Sequence, residues 1–437
     1  MALALAGLLL AAPLPAEATK IERIVTPGGI EAWLVREEAL PLISVELGFR
    51  GGSAQDPEDK AGVSHMVASL LDEGAGDLDA KAFHERLEER AIQLSFYSTR
   101  DHVRGSLRTL VEHREHAFDL LRLALTAPRF DSEAIERVRA QLLARLRRES
   151  TSPNEIASRR WWETAFGKHP YGRPVHGTLE SVPRIGPDDL KAYVRRVFAR
   201  DTLKIGVVGD IDAATLAPLL DRVFGALPPK AELAPIAQAV PQGLGRRVFV
   251  PLDVPQAVVT FGGNGIPRKD PDFIAAYVVN HIVGGGSFSS RLYREVRENR
   301  GLAYGIHSSL LWLDHTALFI GGTATRSDRV GQTIDIIERE IRRIAEQGPT
   351  EEELARAKAY LKGSYPLAFD SSSKIASQLV HIQLDELGID YIHRRNDLID
   401  AVTIEDARRA ARRLLGGKVL VTVVGRPQGE PPRDRGG

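Results

Sequence analysis

Apolar positions recur with two different periods along this chain, and the periods mark out two kinds of element. In 42–49 (LISVELGF) and 257–262 (AVVTFG), β-branched and apolar residues alternate or crowd together as they do in strands. In 132–149, Ile135, Val138, Leu142 and Leu146 fall on one face of a helix. The segment 350–365 opens with Thr350 and Glu353, a capping-box pair, and runs through Leu354, Ala357 and Leu361 as another helix. The same order of elements occurs twice. An amphipathic helix at 188–198 leads into a strand at 202–208 and Gly209-Asp210; a helix at 404–415 leads into a strand at 419–424 and Gly425-Arg426. Both opening strands are followed by an Asp-Pro turn, Asp56-Pro57 or Asp270-Pro271, and then by an apolar helix. The pattern predicts an α+β fold made of one unit used twice, 19–226 and 243–428, with an antiparallel-rich sheet meeting helices on one face. Between the units, 227–242 carries Pro228, Pro229, Pro235 and Pro241. Proline fixes φ and removes a donor, so this linker is expected to cross in extended form.

Composition narrows the function. Lys plus Arg and Asp plus Glu each number 58 in 437 residues, so the net charge is zero. A nucleic-acid partner, which calls for a basic stripe, is not expected. The absence of cysteine excludes disulfides, cysteine–zinc sites, iron–sulfur clusters and thiol nucleophiles. The one long apolar run, 1–14, is shorter than the roughly 20 residues a membrane span needs, so no transmembrane segment is expected. Pro15 and Ala16-Glu17-Ala18 follow it, although no Lys or Arg precedes it. Residues 1–18 are therefore expected to be a secretory signal cut after Ala18, and the mature protein periplasmic or secreted. The tail 429–437, rich in Pro, Gly and Arg, is expected to be flexible.

Candidate chemistry sits in two places. The first is Gly62-Val63-Ser64-His65-Met66-Val67-Ala68-Ser69, which opens an apolar helix running to Gly74. Strand, Asp-Pro turn, Gly-x-Ser-His and apolar helix together resemble the pitrilysin/insulinase-type zinc metallopeptidases, the inverzincins, whose signature is H-x-x-E-H. The resemblance covers nearly the whole chain, including the duplication. It implies that His65 holds the place of the first histidine, Ala68 that of the glutamate base and Ser69 that of the second histidine. The family's third ligand, a glutamate on a later helix, falls at Ala144 or Arg145. A catalytic zinc needs three protein ligands and an open position for water. One ligand survives, and the base is gone, so this chain is expected to bind no catalytic zinc and to hydrolyse nothing alone. His65 is expected to pack or hydrogen-bond locally. Among the twelve histidines, His113 and His116 are spaced as helical neighbours, but they read as part of a charged, solvated face.

The second place is Gly284-Gly285-Gly286-Ser287, followed by a helix carrying Leu292 and Val296 and closed by Gly301. Without side chains, such a loop can move or admit another chain closely. Ser289 is expected to cap the helix. No Gly-Lys-Ser/Thr follows the glycines, so a phosphate loop is excluded. Arg297 and Tyr304 stand seven positions apart. Alone they read as a surface ion pair and a half-buried ring. The segment also resembles the C-terminal-domain motif of the same family, and that resemblance implies that Arg297 and Tyr304 reach across a chamber to hold a substrate carbonyl or oxyanion.

The resemblance implies the non-catalytic subunit of a heterodimeric zinc peptidase, each chain forming half of a clam-shell chamber. A partner with intact H-x-x-E-H would carry the zinc. This chain would present Arg297, Tyr304 and the loop from Gly284 to Ser287 to unfolded peptides. The alternatives are a structural subunit of the core type and a peptide-binding protein with no enzymatic partner.

Overall fold

The structure, a computed structural model, describes residues 20–426. The expected signal segment, 1–18, and the expected flexible tail, 429–437, lie outside them. Eleven strands form two sheets among the described residues. In the first half these are β1 (Ile21–Val25), β2 (Glu31–Arg36), β3 (Leu42–Arg50), β4 (Gln93–Ser98), β5 (His102–Leu110) and β6 (Lys204–Gly209). In the second they are β7 (Arg247–Val250), β8 (Gln256–Asn264), β9 (Ala303–Leu313), β10 (Thr316–Arg326) and β11 (Leu420–Val424). The sheet orders are β1-β2-β6-β3-β5-β4 and β7-β11-β8-β10-β9. The second order repeats the first without its outermost strand. Each sheet holds a single parallel pair in the corresponding place, β2 with β6 and β7 with β11. The duplication seen in the sequence is therefore a duplication of topology.

Local chemistry explains the elements. The helix Ser132–Glu149 has the bounds its period predicts. Thr350 and Glu353 form a reciprocal capping box at the start of Glu351–Gly363, and Thr403 with Asp406 does the same for Ile404–Leu415. Capping boxes satisfy amide donors that the first helical turn leaves open.

One expectation is corrected. The sheets do not meet helices on one face only. In β3 the odd positions Ile43, Val45, Leu47 and Phe49 enter the core of their own half, as a two-residue period dictates. The even positions are covered as well, by the helix Ser372–Leu384 from the second half. A Cβ on Gly48 would lie 3.2 Å from Leu384, and one on Gly206 only 2.6 Å from the Ala376 carbonyl. The Gln383 amide also donates to the Ile205 carbonyl at 2.9 Å. Reciprocally, the helix Pro153–Phe166 of the first half lies on the second sheet. Trp161 is fully buried there, packs with Leu318 and Leu420, and donates its indole N–H to the Leu420 carbonyl at 3.2 Å. The halves have exchanged equivalent helices.

The 227–242 segment crosses between the sheets with no helix or strand. Gln55 grips it by a two-way amide pair with Ala234, at 2.9 and 2.8 Å. Ala239 and Gln242 tie it to His315 and Ala165. A buried network fastens the halves nearby. Tyr171 donates its hydroxyl to Asp101 at 2.5 Å, and Asp101 accepts the Asp314 amide at 3.0 Å.

Candidate functional site

The first sequence motif lies on a short helix, Val63–Ala68, that packs against β4 and the helix Pro187–Val197. Asp56 seats its start. One carboxylate oxygen accepts the Gly62 amide at 2.8 Å and the other the Ser64 amide at 2.9 Å. His65 projects beside His176, with ring centroids 4.6 Å apart. Burial, then the nearby His176 and Arg145, push the His65 pKa down to about 4. This imidazole is neutral at pH 7 and packs against its neighbour.

The residues around it do not suit zinc. Ala68 has no donor atom and is buried in the core at 1% exposure. Ser69 spends its hydroxyl on the His65 carbonyl, 2.9 Å away. Arg145 brings a positive charge into the space and binds Glu149 at 2.6 Å. Glu149 in turn lies 3.9 Å from His176. Glu149, His65 and His176 are thus neighbours, yet no cluster of three or more His, Asp or Glu could hold a metal among the described residues. His113 and His116 belong to no such cluster either, and His116 is exposed.

Restoring Ala68→Glu and Ser69→His together is therefore expected to leave the protein free of tightly bound zinc. The new glutamate would also enter a packed apolar site, at a cost of about 2 kcal/mol or more. Metal analysis after dialysis and a urea melt check both parts. Stoichiometric zinc in the double variant would show that the distal position tolerates arginine.

The second motif is built from two turns of wide helix. The amides of Gly286 and Asn299 each reach back five residues, to His281 and Arg294, both at 2.8 Å. Such insertions re-aim side chains and recur at functional sites. The glycines serve close packing. A Cβ on Gly284 would stand 2.5 Å from the Ser308 hydroxyl and 2.8 Å from the Ser308 amide on β9. The left-handed residue of the loop is Ser287, at φ 48°, and not a glycine. Helix capping falls to Ser290, whose hydroxyl accepts the Tyr293 amide, while Ser289 bonds back to Gly286. This corrects the expected cap by one residue. Gly301 closes the helix at φ 58°, as expected.

Arg297 and Tyr304 come together on this frame. The guanidinium carbon stands 4.5 Å from the Tyr304 ring centre, 5.0 Å from Tyr293 and 6.0 Å from Phe288. One guanidinium N–H is donated to the Tyr293 hydroxyl. Arg297 makes no ion pair among the described residues. Tyr304 is 85% exposed and Phe288 69% exposed, so the surface reading of an ion pair beside a half-buried ring does not hold. Stacking orients the guanidinium and leaves its remaining in-plane donors unpaired among the described residues. Phe288, Tyr293 and His176 escaped the sequence reading. The helical spacing of Tyr293 and Arg297 could have signalled the first contact; nothing in the spacing of His65 and His176 signals the second.

Both halves resemble proteins of one family. A family model described as insulinase (peptidase family M16) matches residues 35–179, and one described as peptidase M16 inactive domain matches 184–361. The non-peptidase homolog YmxG of Helicobacter pylori is 29% identical over 338 residues, 76% of this chain and 77% of that one. A Streptomyces coelicolor protein named as an uncharacterized zinc protease is 27% identical over 417 residues, 93% of this chain and 89% of that one. The crystal structure of a peptidase M16 inactive domain from Pseudomonas fluorescens superposes with a TM-score of 0.88. It is 27% identical and covers 95% of this chain and 100% of that one. Two homologous halves, a histidine helix stripped of its other ligands and an intact Gly-rich loop lead to one conclusion: the chain belongs to the M16, insulinase-type peptidase family as a member without the catalytic zinc motif.

Proposed function

We propose that the chain is the non-catalytic subunit of a heterodimeric zinc metalloendopeptidase. One observation carries the reading. Arg297 and Tyr304 are stacked together and reach solvent, whereas the base position is Ala68 and the zinc-ligand positions beyond His65 are Ser69 and Ala144 or Arg145. In this account the partner has intact H-x-x-E-H and carries the zinc. The two chains close a clam-shell chamber around unfolded peptides. Arg297, held by its aromatic neighbours, and the Tyr304 hydroxyl donate to the substrate carbonyl as charge builds on its oxygen. Gly284, Gly285, Gly286 and Ser287 line the approach. The assembly works in the periplasm or outside the cell.

The test is a peptidase assay with zinc analysis on this chain, on a candidate H-x-x-E-H partner and on their mixture. Zinc in the partner alone, with cleavage by the mixture, is the expected result. Zinc and cleavage from this chain alone overturn the proposal. Silence from all three favours a structural or peptide-binding role. Within an active mixture, Arg297→Ala is expected to lower kcat about 100-fold, in the range of a lost oxyanion donor. Tyr304→Phe should lower it less, and neither should prevent assembly by gel filtration. Wild-type turnover in both variants removes the clamp role.

A further inference from the structure

A cavity of about 390 Å³ opens beside the degenerate motif, between the β4–β5 turn, the helix Pro153–Phe166 and the 172–180 loop. That volume lies at the lower end of the range for small-ligand pockets. Its wall carries two arginines that no carboxylate neutralises by direct pairing. Arg100 lies 3.5 Å above the Trp162 ring, and among the described residues the only hydrogen bond of its guanidinium is a long one from Nε to the Tyr171 carbonyl, 3.4 Å. The terminal nitrogens of Arg100 have no partner among the described residues. Desolvation draws its pKa down to about 10, which still leaves it charged at pH 7. Arg173 donates weakly to the Ala54 carbonyl at 3.4 Å, and its buried Nε has no partner.

The surrounding acids are occupied or face outward. Asp101, behind Arg100, is engaged by Tyr171 and the Asp314 amide. Asp56, near Arg173, is engaged by the Gly62 and Ser64 amides. Glu149 is held by Arg145, and Glu163 lies within 3.8 Å of Arg159 and 3.7 Å of Arg160. Glu155 and Glu180 are exposed at the rim. Leu146, Trp162, Val175 and Leu179 supply an apolar strip beside the arginines.

We infer that this cavity binds the free C-terminal carboxylate of a peptide, with Arg100 and Arg173 as its cationic partners and the apolar strip receiving the terminal side chain. A guanidinium fork matches a carboxylate in two parallel hydrogen bonds. A ring-stacked guanidinium is already oriented for them. The inference concerns this chain alone and stands whether or not a catalytic partner exists.

Calorimetry on the full chain tests it with an N-acetylated tetrapeptide ending in leucine, the same peptide as its C-terminal amide, and inorganic phosphate. The acid is expected to bind at least tenfold more tightly than the amide. Arg173→Gln should weaken the acid at least tenfold with an unchanged melting temperature. Arg100→Gln should do the same, and if its lost stacking unfolds the protein, Arg173→Gln and the acid–amide comparison still decide. Equal binding of acid and amide overturns the inference, as does unaltered binding by folded Arg173→Gln. Binding of phosphate without binding of the peptide acid overturns the peptide assignment.

Discussion

Trp161→Ala is expected to destabilise the protein by about 3–5 kcal/mol, the cost of emptying a large aromatic site in a close-packed core. The indole is fully buried under the second sheet although it belongs to the first half. It meets Trp162 edge to face, with ring centres 5.5 Å apart, and lies so close to β8 that a Cβ on Gly262 would stand 2.8 Å from it. Its loss also leaves the buried Leu420 carbonyl without the indole donor. The damage should therefore spread along β8 and β11 before it reaches the first sheet. Urea melts give the free-energy loss, and amide exchange gives its location. A loss below about 1 kcal/mol, or uniform exchange across both sheets, would mean that the exchanged helix is a lid and not part of the second core.

That exchange was not legible in the sequence, and the reason is physical. The period of an amphipathic helix shows that it has an apolar face, but not which sheet the face meets. Trp161, Trp162, Ala165 and Phe166 would read the same whether they covered β3 or β8. The buried even positions of β3 contain Ser44 and Glu46, which look solvent-facing in a two-residue period. They are covered because Arg104 lies 3.7 Å from Glu46 and Ser373 bonds to Ser44 at 3.3 Å. By contrast, elements defined by neighbours in the chain were legible. The helix Ser132–Glu149, the Thr350 capping box and the left-handed Gly301 are all set by residues within a few positions.

The same division holds at the site. Ala68, Ser69 and Arg145 could be read against a family pattern because the pattern supplies the spacing. Arg145 does reach the vicinity of His65, where it contributes to holding that imidazole neutral. Arg100, Arg173 and His176 come together only through tertiary folding, from three segments with no motif between them. The glycines were legible as a loop but not as a contact. Gly284 lets the turn lie against Ser308 on β9, while Gly285 and Gly286 lie against Asn280 and His281, contacts that only the folded chain reveals.

Asp56 should make stability fall as pH rises from about 4 to about 7. Its carboxyl lies under the helix that carries His65, and burial pushes its pKa up to about 7 against the pull of the Gly62 and Ser64 amides. An unfolded aspartic acid titrates near 3.9. Between those values the native state holds a proton that the unfolded state has lost, so the derivative of unfolding free energy with pH is negative. The stabilisation is complete below the unfolded pKa and is lost as pH rises through the folded one. About three units correspond to at most about 4 kcal/mol, on the order of 1.4 kcal/mol per unit. The neutral His65 acts with the opposite sign, its contribution being lost as pH falls from 6.5 toward 4, so a wild-type curve alone would blend the two. Asp56→Asn isolates the term, because asparagine keeps the shape and cannot ionise. The wild type's stability relative to the variant should fall steadily between pH 4 and 7 in urea melts. A difference that stays constant with pH would mean that the two amides hold Asp56 ionised throughout, and that the helix under His65 rests on a buried charge.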